Sequence, residues 1–330
     1  MSQSFLIIQT AFTGDAILLT SLTEKLYETN PEYKIDVLVR KGNESLFSNH
    51  PYVREILIWD KKKNKYNNLF KILKEIRKRK YDVIVNLQRY ASTGILTAFS
   101  LAKDKIGFNK NPLSFLFTKK IKHEVKIDFH EIDRNQVMIE KYSKGKAVRP
   151  RLYPSVNDFN SVKKYKNNRF ITIAPVSAWF TKTLPAYKWI ELIKNYKTLF
   201  PDIQFYLLGS QEEFKLAEII RLKSEENKIV NLCGSLSFLE SAALMKDAEM
   251  NYVNDSAPLH LAGAMNAPVT VVYCSTVPDF GFGPLSEKSK IIETQIKLNC
   301  RPCGLHGYKE CPLTHFKCAH SIDIKEAISL

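Results

Sequence analysis

The sequence predicts two doubly wound α/β domains facing each other across a cleft, and three observations lead there. Apolar runs without a polar face, such as 5–9, 35–39, 81–87, 170–174 and 269–273, alternate with amphipathic stretches. That is the pattern of a parallel sheet covered by helices on both sides. The alternation lapses in a polar segment, 141–168, that carries Pro150 and Pro154, and then restarts. A length of 330 residues fits two domains of ordinary size. The expected division is 1–160 and 161–330.

In order, 5–9 reads as a strand and 15–28 as a helix with Ile17, Leu18, Leu22 and Leu26 near one face. Strands follow at 35–39 and 55–59, a basic amphipathic helix at 66–80 and a strand at 81–87. The second half repeats the scheme. It gives strands at 170–174, 203–208, 229–232, 250–253 and 269–273, with helices at 185–199, 212–224 and 237–246. A further helix begins near Ser256 and stops at Asn266 and Pro268.

Composition is that of a globular protein, with 45% hydrophobic and 25% charged residues. Lys plus Arg number 49 against 34 Asp plus Glu, a formal charge of +15 that favours anionic partners. No nucleic-acid-binding motif accompanies this charge, so a nucleic-acid partner is not expected. The first residues lack the basic and apolar regions of a secretory signal, and no run is long enough to span a bilayer. The expected location is the cytoplasm, with peripheral contact at the inner face of the membrane. Cys233 and Cys274 stand in apolar contexts and read as core, whereas Cys300, Cys303, Cys311 and Cys318 cluster near the end. Their spacing allows a structural zinc site, or four reduced thiols packing an irregular tail.

The stretch Asn254-Asp255-Ser256-Ala257-Pro258-Leu259-His260 carries the most chemical information. It reads as a strand end followed by a helix start in which Asp255 or Ser256 accepts a backbone N–H bond and Pro258 fits the first turn. Such a turn aims amide groups and the positive dipole end at an anion, which makes it a phosphate site. Other polar groups fall at the same ends of other strands. Thr13-Gly14-Asp15 follows the first strand: Gly14 permits close approach, and Asp15 reads as an N-cap or as a general base. Lys182, after the first strand of the second half, suits a diphosphate, with Ser177 and Thr181 as hydroxyl donors. Glu212 reads as an acceptor for a ribose hydroxyl or as a first-turn acid, with Gln211 and Glu213 as alternatives. His260 reads as a phosphate or sugar ligand, or as a buried helix histidine. No Asp-x-Asp pair occurs, so a metal-dependent nucleotide-sugar site lacks its ligands.

These pieces, in this order, resemble the ADP-heptose:lipopolysaccharide heptosyltransferases, glycosyltransferase family nine. The similarity rests on 5–9 with Thr13-Gly14-Asp15, on 174–182 with Trp189, on 254–260 with Ala267-Pro268-Val269, and on the cysteine-bearing tail. Ala257 departs from the glycine usual in the family. The resemblance implies a GT-B fold of two Rossmann-like domains, the first holding the acceptor and the second an ADP-sugar, with ADP-heptose the expected donor. It implies inverting transfer without a catalytic metal or other cofactor. Asp15 is then the base; Gly14, Ser177, Thr181, Lys182, Glu212, Asp255, Ser256, Ala257 and His260 surround the donor. The acceptor would be a lipid-linked anionic glycan docking at the basic runs 61–65, 71–80 and 103–126. The other readings are a nucleotide-sugar binder without turnover, or an epimerase on the same fold. A nicotinamide-dependent oxidoreductase is disfavoured because no Gly-x-Gly-x-x-Gly follows the first strand.

Overall fold

In the computed structural model, which describes residues 3–62, 64–126 and 129–328, the chain forms two compact units, Met1–Tyr153 and Pro154–Leu330. Lys63 of the basic run lies outside the described residues, as do Met1 and Ser2 at the start and the side chain of Lys65.

The first unit holds β1 (Ser4–Gln9), α1 (Thr13–Thr29), β2 (Lys34–Arg40), β3 (Val53–Trp59), α2 (Lys65–Arg79), β4 (Val83–Asn86), α3 (Ala91–Ala98), β5 (Asp104–Phe108), β6 (Lys119–Ile121) and α4 (Glu131–Ile139). Its six parallel strands lie in the order β3-β2-β1-β4-β5-β6. The second unit holds α5 (Val156–Val162), β7 (Phe170–Ala174), α6 (Ala186–Leu199), β8 (Gln204–Leu207), α7 (Phe214–Lys223), β9 (Ile229–Asn231), α8 (Phe238–Lys246), β10 (Asn251–Asn254), α9 (Ala257–Met265), β11 (Val269–Tyr273), β12 (Ser289–Glu293) and α10 (Lys317–His320). Its order, β12-β11-β10-β7-β8-β9, repeats that of the first unit, again with every pair parallel. In each sheet the winding reverses beside the first strand, at β1/β4 and at β7/β10. A doubly wound sheet binds its ligand outside the strand ends at that reversal.

Local chemistry sets the boundaries. Ser155 with Asp158, and Ser237 with Glu240, form capping boxes that start α5 and α8. Ser161 Oγ bonds Glu240 Oε1 at 2.7 Å, so α5, which a boundary at 160 would divide, goes wholly with the second unit. The expected helix 212–224 starts later, because a Ser210/Glu213 capping box closes a 3-10 turn at Gln211–Glu213 first. Strands β1, β4, β7, β10 and β11 are buried almost throughout, as strands covered on both faces must be. Asp36, fully buried on β2, is neutralised by bonds from Arg54 at 2.9 and 2.7 Å and from the Tyr81 hydroxyl at 2.5 Å. In the second unit the tail completes the core: Phe316, Cys318, Ile322 and Ile324 pack with Trp189, Phe205 and Tyr252.

A second buried polar group gives the first unit a pH dependence. His50 Nε2 lies 3.0 Å from Thr23 Oγ1 and 3.4 Å from Glu24 Oε1. Burial pulls the imidazole down to about 4, so at neutral pH the contact with Glu24 is not an ion pair. The unfolded chain takes up this proton first as pH falls from the ordinary value of 6.5. Stability due to His50 is therefore lost between pH 6.5 and about 4, by about 3 kcal/mol in all. Glu24, raised by burial, takes up a proton in the folded chain and offsets part of this loss. Urea midpoints measured across that window are expected to fall in the wild type and to fall less in His50→Gln.

Candidate functional site

The site is best built from the sheet reversal of the second unit. Strand β7 ends at Ala174 and β10 at Asn254, side by side. Asn254 is fully buried, and its side chain joins the two strand ends. Its Oδ1 accepts from the Leu184 amide at 2.9 Å, and its Nδ2 donates to the Ala174 carbonyl at 3.3 Å. Trp189 donates its indole N–H to the Pro175 carbonyl at 3.2 Å, pinning the same loop from below. The loop then makes one 3-10 turn, Phe180–Lys182. There Lys182 Nζ lies 2.6 Å from Asp255 Oδ2, with both side chains largely buried. Thr276, in the loop after β11, donates to the same carboxylate oxygen at 2.7 Å.

This pairing corrects the expected cap. Ser256 is the N-cap of α9 but makes no side-chain cap bond; its hydroxyl donates to the Asn254 carbonyl at 3.4 Å. The Asp255 carboxylate is turned to Lys182 and Thr276 instead. Pro258 falls in the first turn, where its missing N–H costs nothing. The start of α9 thus presents its dipole beside an ammonium group with no side chain capping it. Ala257 opens the helix with ordinary backbone and is absent from the residues of positive φ, so glycine is not required there for conformation. His260, one turn along, is buried with its ring edge-on to Phe282.

Thr181 departs from the expected role. It is buried, and its Oγ1 accepts from the Tyr308 amide at 2.7 Å and from Ser275 Oγ at 3.0 Å. Its own proton is directed to the Tyr308 carbonyl at 3.3 Å. The hydroxyl therefore holds the tail against the lysine-bearing turn and is not left for a diphosphate. Ser177 is half-buried in the same loop, with its amide donating to Thr183 Oγ1 at 3.1 Å. Glu212 is exposed beyond β8, whereas Glu213 is committed to the cap, accepting from the Ser210 amide at 2.6 Å.

The tail cysteines also differ from the metal-site expectation. Among the described residues, no group of three or more Cys, His, Asp or Glu side chains is arranged to hold a metal ion. Cys318 is sunk in the core, and burial, with the neighbouring Cys303 and Cys311, pushes it up to about 11. Cys303 is raised in the same way, by burial and the neighbouring Cys300 and Cys311, so with no metal present both groups are thiols at neutral pH. The tail braces the site instead. Arg301 donates to the Cys274 and Thr276 carbonyls, each at 2.8 Å, and to Glu293 at 2.5 Å. The Cys303 amide donates to the Ser275 carbonyl at 2.8 Å, and Phe316 packs on Phe180.

Ser275, Thr276, Arg301 and Tyr308 were not singled out in the sequence. Ser275-Thr276 follows the strand 269–273 at the ligand-binding edge, and that position is the signal that identifies it. Gly307 was missed as well. It has φ +74°, and an added Cβ would lie 2.8 Å from Thr181 Oγ1 and 3.0 Å from Lys182 Cγ. Gly307→Ala is expected to cost about 1–3 kcal/mol and to weaken nucleotide binding by displacing Lys182. Thermal melts with and without ADP check both effects.

In the first unit Asp15 is the third residue of α1, half-buried at the end of β1. It is not the N-cap; Phe12 is, with extended backbone and no side-chain cap bond. Gly14 is buried beside it. Burial lowers Arg40, at the end of β2, and the Asp15 carboxylate opposes that shift, which puts a guanidinium within its electrostatic reach.

The chain is similar in sequence and fold to known proteins. A family profile described as "Glycosyltransferase family 9 (heptosyltransferase)" matches residues 69–312. Lipopolysaccharide heptosyltransferase 1 of Campylobacter coli is 25% identical over 310 residues, covering 88% of this chain and 90% of its own. The structure of E. coli ADP-heptose lps heptosyltransferase II superposes with a TM-score of 0.78 at 19% identity, covering 99% of this chain and 100% of that one. E. coli heptosyltransferase WaaC, solved with ADP-2-deoxy-2-fluoro heptose, gives 0.70 at 17% identity with 99% of each chain covered. These last two likenesses establish the GT-B fold. With a family profile spanning most of the chain, from α2 into the cysteine-bearing tail as far as residue 312, this protein belongs to glycosyltransferase family 9, the heptosyltransferases.

Proposed function

We propose that the chain transfers a heptose, or a closely related sugar, from an ADP-sugar to a lipopolysaccharide-core glycan with inversion and without a catalytic metal. The observation that carries this reading is the Lys182 ammonium held against Asp255 at the start of α9, which has no side-chain cap. An ammonium beside helix amides matches the charge that builds on a departing nucleoside diphosphate. With these groups in place, and no Asp-x-Asp pair in the sequence, leaving-group stabilisation is assigned to the chain itself.

The residues then divide the work. Lys182 binds the diphosphate. Asp255, an acceptor-only carboxylate, cannot bond an ionised phosphate, so it acts by positioning Lys182. Ser177, Ser256, Ala257 and His260 border the donor, and the exposed Glu212 is assigned to the ribose. In the first unit Asp15 takes the proton from the attacking acceptor hydroxyl. That oxygen bonds to the anomeric carbon as the bond to the diphosphate oxygen breaks, and ADP leaves with the bonding pair. One displacement inverts the anomeric configuration.

A thermal-shift panel of ADP, UDP, GDP and CDP tests the donor. ADP is expected to stabilise the fold selectively, by about 2.7 kcal/mol at a hundred times its dissociation constant. Transfer from ADP-heptose to delipidated lipopolysaccharide-core oligosaccharide, followed by NMR of the new linkage, tests the rest. Retained configuration, or activity abolished by EDTA and restored by a divalent ion, would overturn the mechanism.

A further inference from the structure

The exposed face of α2 has a composition unlike an ordinary solvated helix. Tyr66 and Phe70, four residues apart, are 70% and 63% exposed. At 100° per residue they share one edge of the exposed arc, while Lys71, Lys74 and Lys78, all exposed, line the other. The only acid in the helix, Glu75, is tied to Arg79 at 3.0 Å. The apolar edge continues beyond the helix. Arg77, exposed on the same edge, donates to the Phe99 carbonyl at 2.6 Å, which brings the turn after α3 alongside. In that turn Phe99 is exposed and Leu101 is 75% exposed.

Phe and Leu side chains left in water beside a row of lysines mark an interaction surface. A helix with cations along one edge and aromatic rings along the other suits the headgroup layer of an anionic bilayer. There the rings enter the acyl boundary and the lysines meet lipid phosphates. We propose that α2 and the α3–β5 turn dock this protein on an anionic membrane. The helix starts just after the end of β3, at the same strand-end edge as Asp15, so docking keeps the base near the surface that bears a lipid-linked acceptor. The inference rests on the proposed function only for that biological purpose; the docking itself is independent of it.

Co-sedimentation of the full-length protein with vesicles tests the proposal. The protein is expected to bind vesicles of phosphatidylglycerol and phosphatidylcholine at low salt, to release at high salt, and to ignore pure phosphatidylcholine. Lys71→Gln/Lys74→Gln/Lys78→Gln should weaken binding about a hundredfold, at ~1 kcal/mol per cation. Phe70→Glu/Leu101→Glu should weaken it about tenfold or more. All five positions are exposed and belong to the first unit, so melting temperature and ADP binding should stay at wild-type values. Failure of the wild type to bind anionic vesicles, or unchanged binding by both variants, would overturn the inference. So would a wild-type dimer that either variant dissociates, or a salt-dependent shift of RNA lost in the lysine variant, because the face would then serve a different partner. Vesicle binding without any sugar transfer would leave docking intact and remove the proposed function instead.

Discussion

Asp15→Asn is expected to lower sugar transfer by about 10²–10⁴-fold, the range typical of a lost general base. The substitution keeps size and the neutral hydrogen-bonding capacity of the side chain but removes its ability to take a proton. Asp15 lies in the first turn of α1, where a carboxylate also complements the helix dipole. That complement is worth only about 0.3–1 kcal/mol, so the fold should survive. The diagnostic is a split between measurements. ADP-induced stabilisation should be unchanged, because Lys182 and α9 belong to the other unit. Single-turnover transfer should collapse. Near-wild-type turnover in the Asn variant would remove Asp15 from the role of base.

Lys182→Met should act on both function and stability. On the functional side it removes the charge assigned to the diphosphate, and a loss of about 10²–10³-fold in kcat/KM is expected. On the structural side it leaves Asp255, with 8% of its side chain exposed, without its cation. Removing one partner of a buried pair leaves an uncompensated charge, here costing about 3 kcal/mol. Thr276, which donates to the same oxygen, limits the loss. The double variant Lys182→Met/Asp255→Leu separates the two effects. It should recover most of the melting temperature, because no charge remains buried, while transfer stays lost. If the single variant binds ADP as tightly as wild type, the diphosphate assignment fails.

Much of the site was legible because strand ends announce themselves. An apolar run followed by Thr13-Gly14-Asp15, or by Asn254 to His260, marks a turn into a helix at the ligand-binding edge of a sheet. What the turn does with its side chains was less legible. Asp255 and Ser256 are both good capping residues, and propensity alone assigns them to α9. A lysine from a loop more than seventy residues earlier outcompetes the helix amides for the carboxylate, and no local rule contains that competitor. Thr181 was misread for a related reason. Its neighbours suggest an open loop, yet Tyr308 and Ser275 close over it.

The cysteines show the same limit. Cys300-x2-Cys303 raises a metal site by spacing. How the four sulfurs stand depends on where the tail packs: α10 sets Cys318 in the core around Trp189 and Tyr252, with Cys300, Cys303 and Cys311 within its electrostatic reach but in no arrangement that would hold a metal ion among the described residues.

By itself, then, the sequence determined two parallel α/β sheets, a helix start directly after the strand that ends at Asn254, and an acid at the end of the first strand. Period, composition and turn chemistry are local quantities, and a linear pattern records them. Only the tertiary structure decided that β7 and β10 lie side by side, that Asp255 spends its charge on Lys182, and that the tail from Arg301 to Phe316 braces the turn between them. Those facts depend on distances between groups far apart in the chain, which are fixed only once the sheets and core have formed.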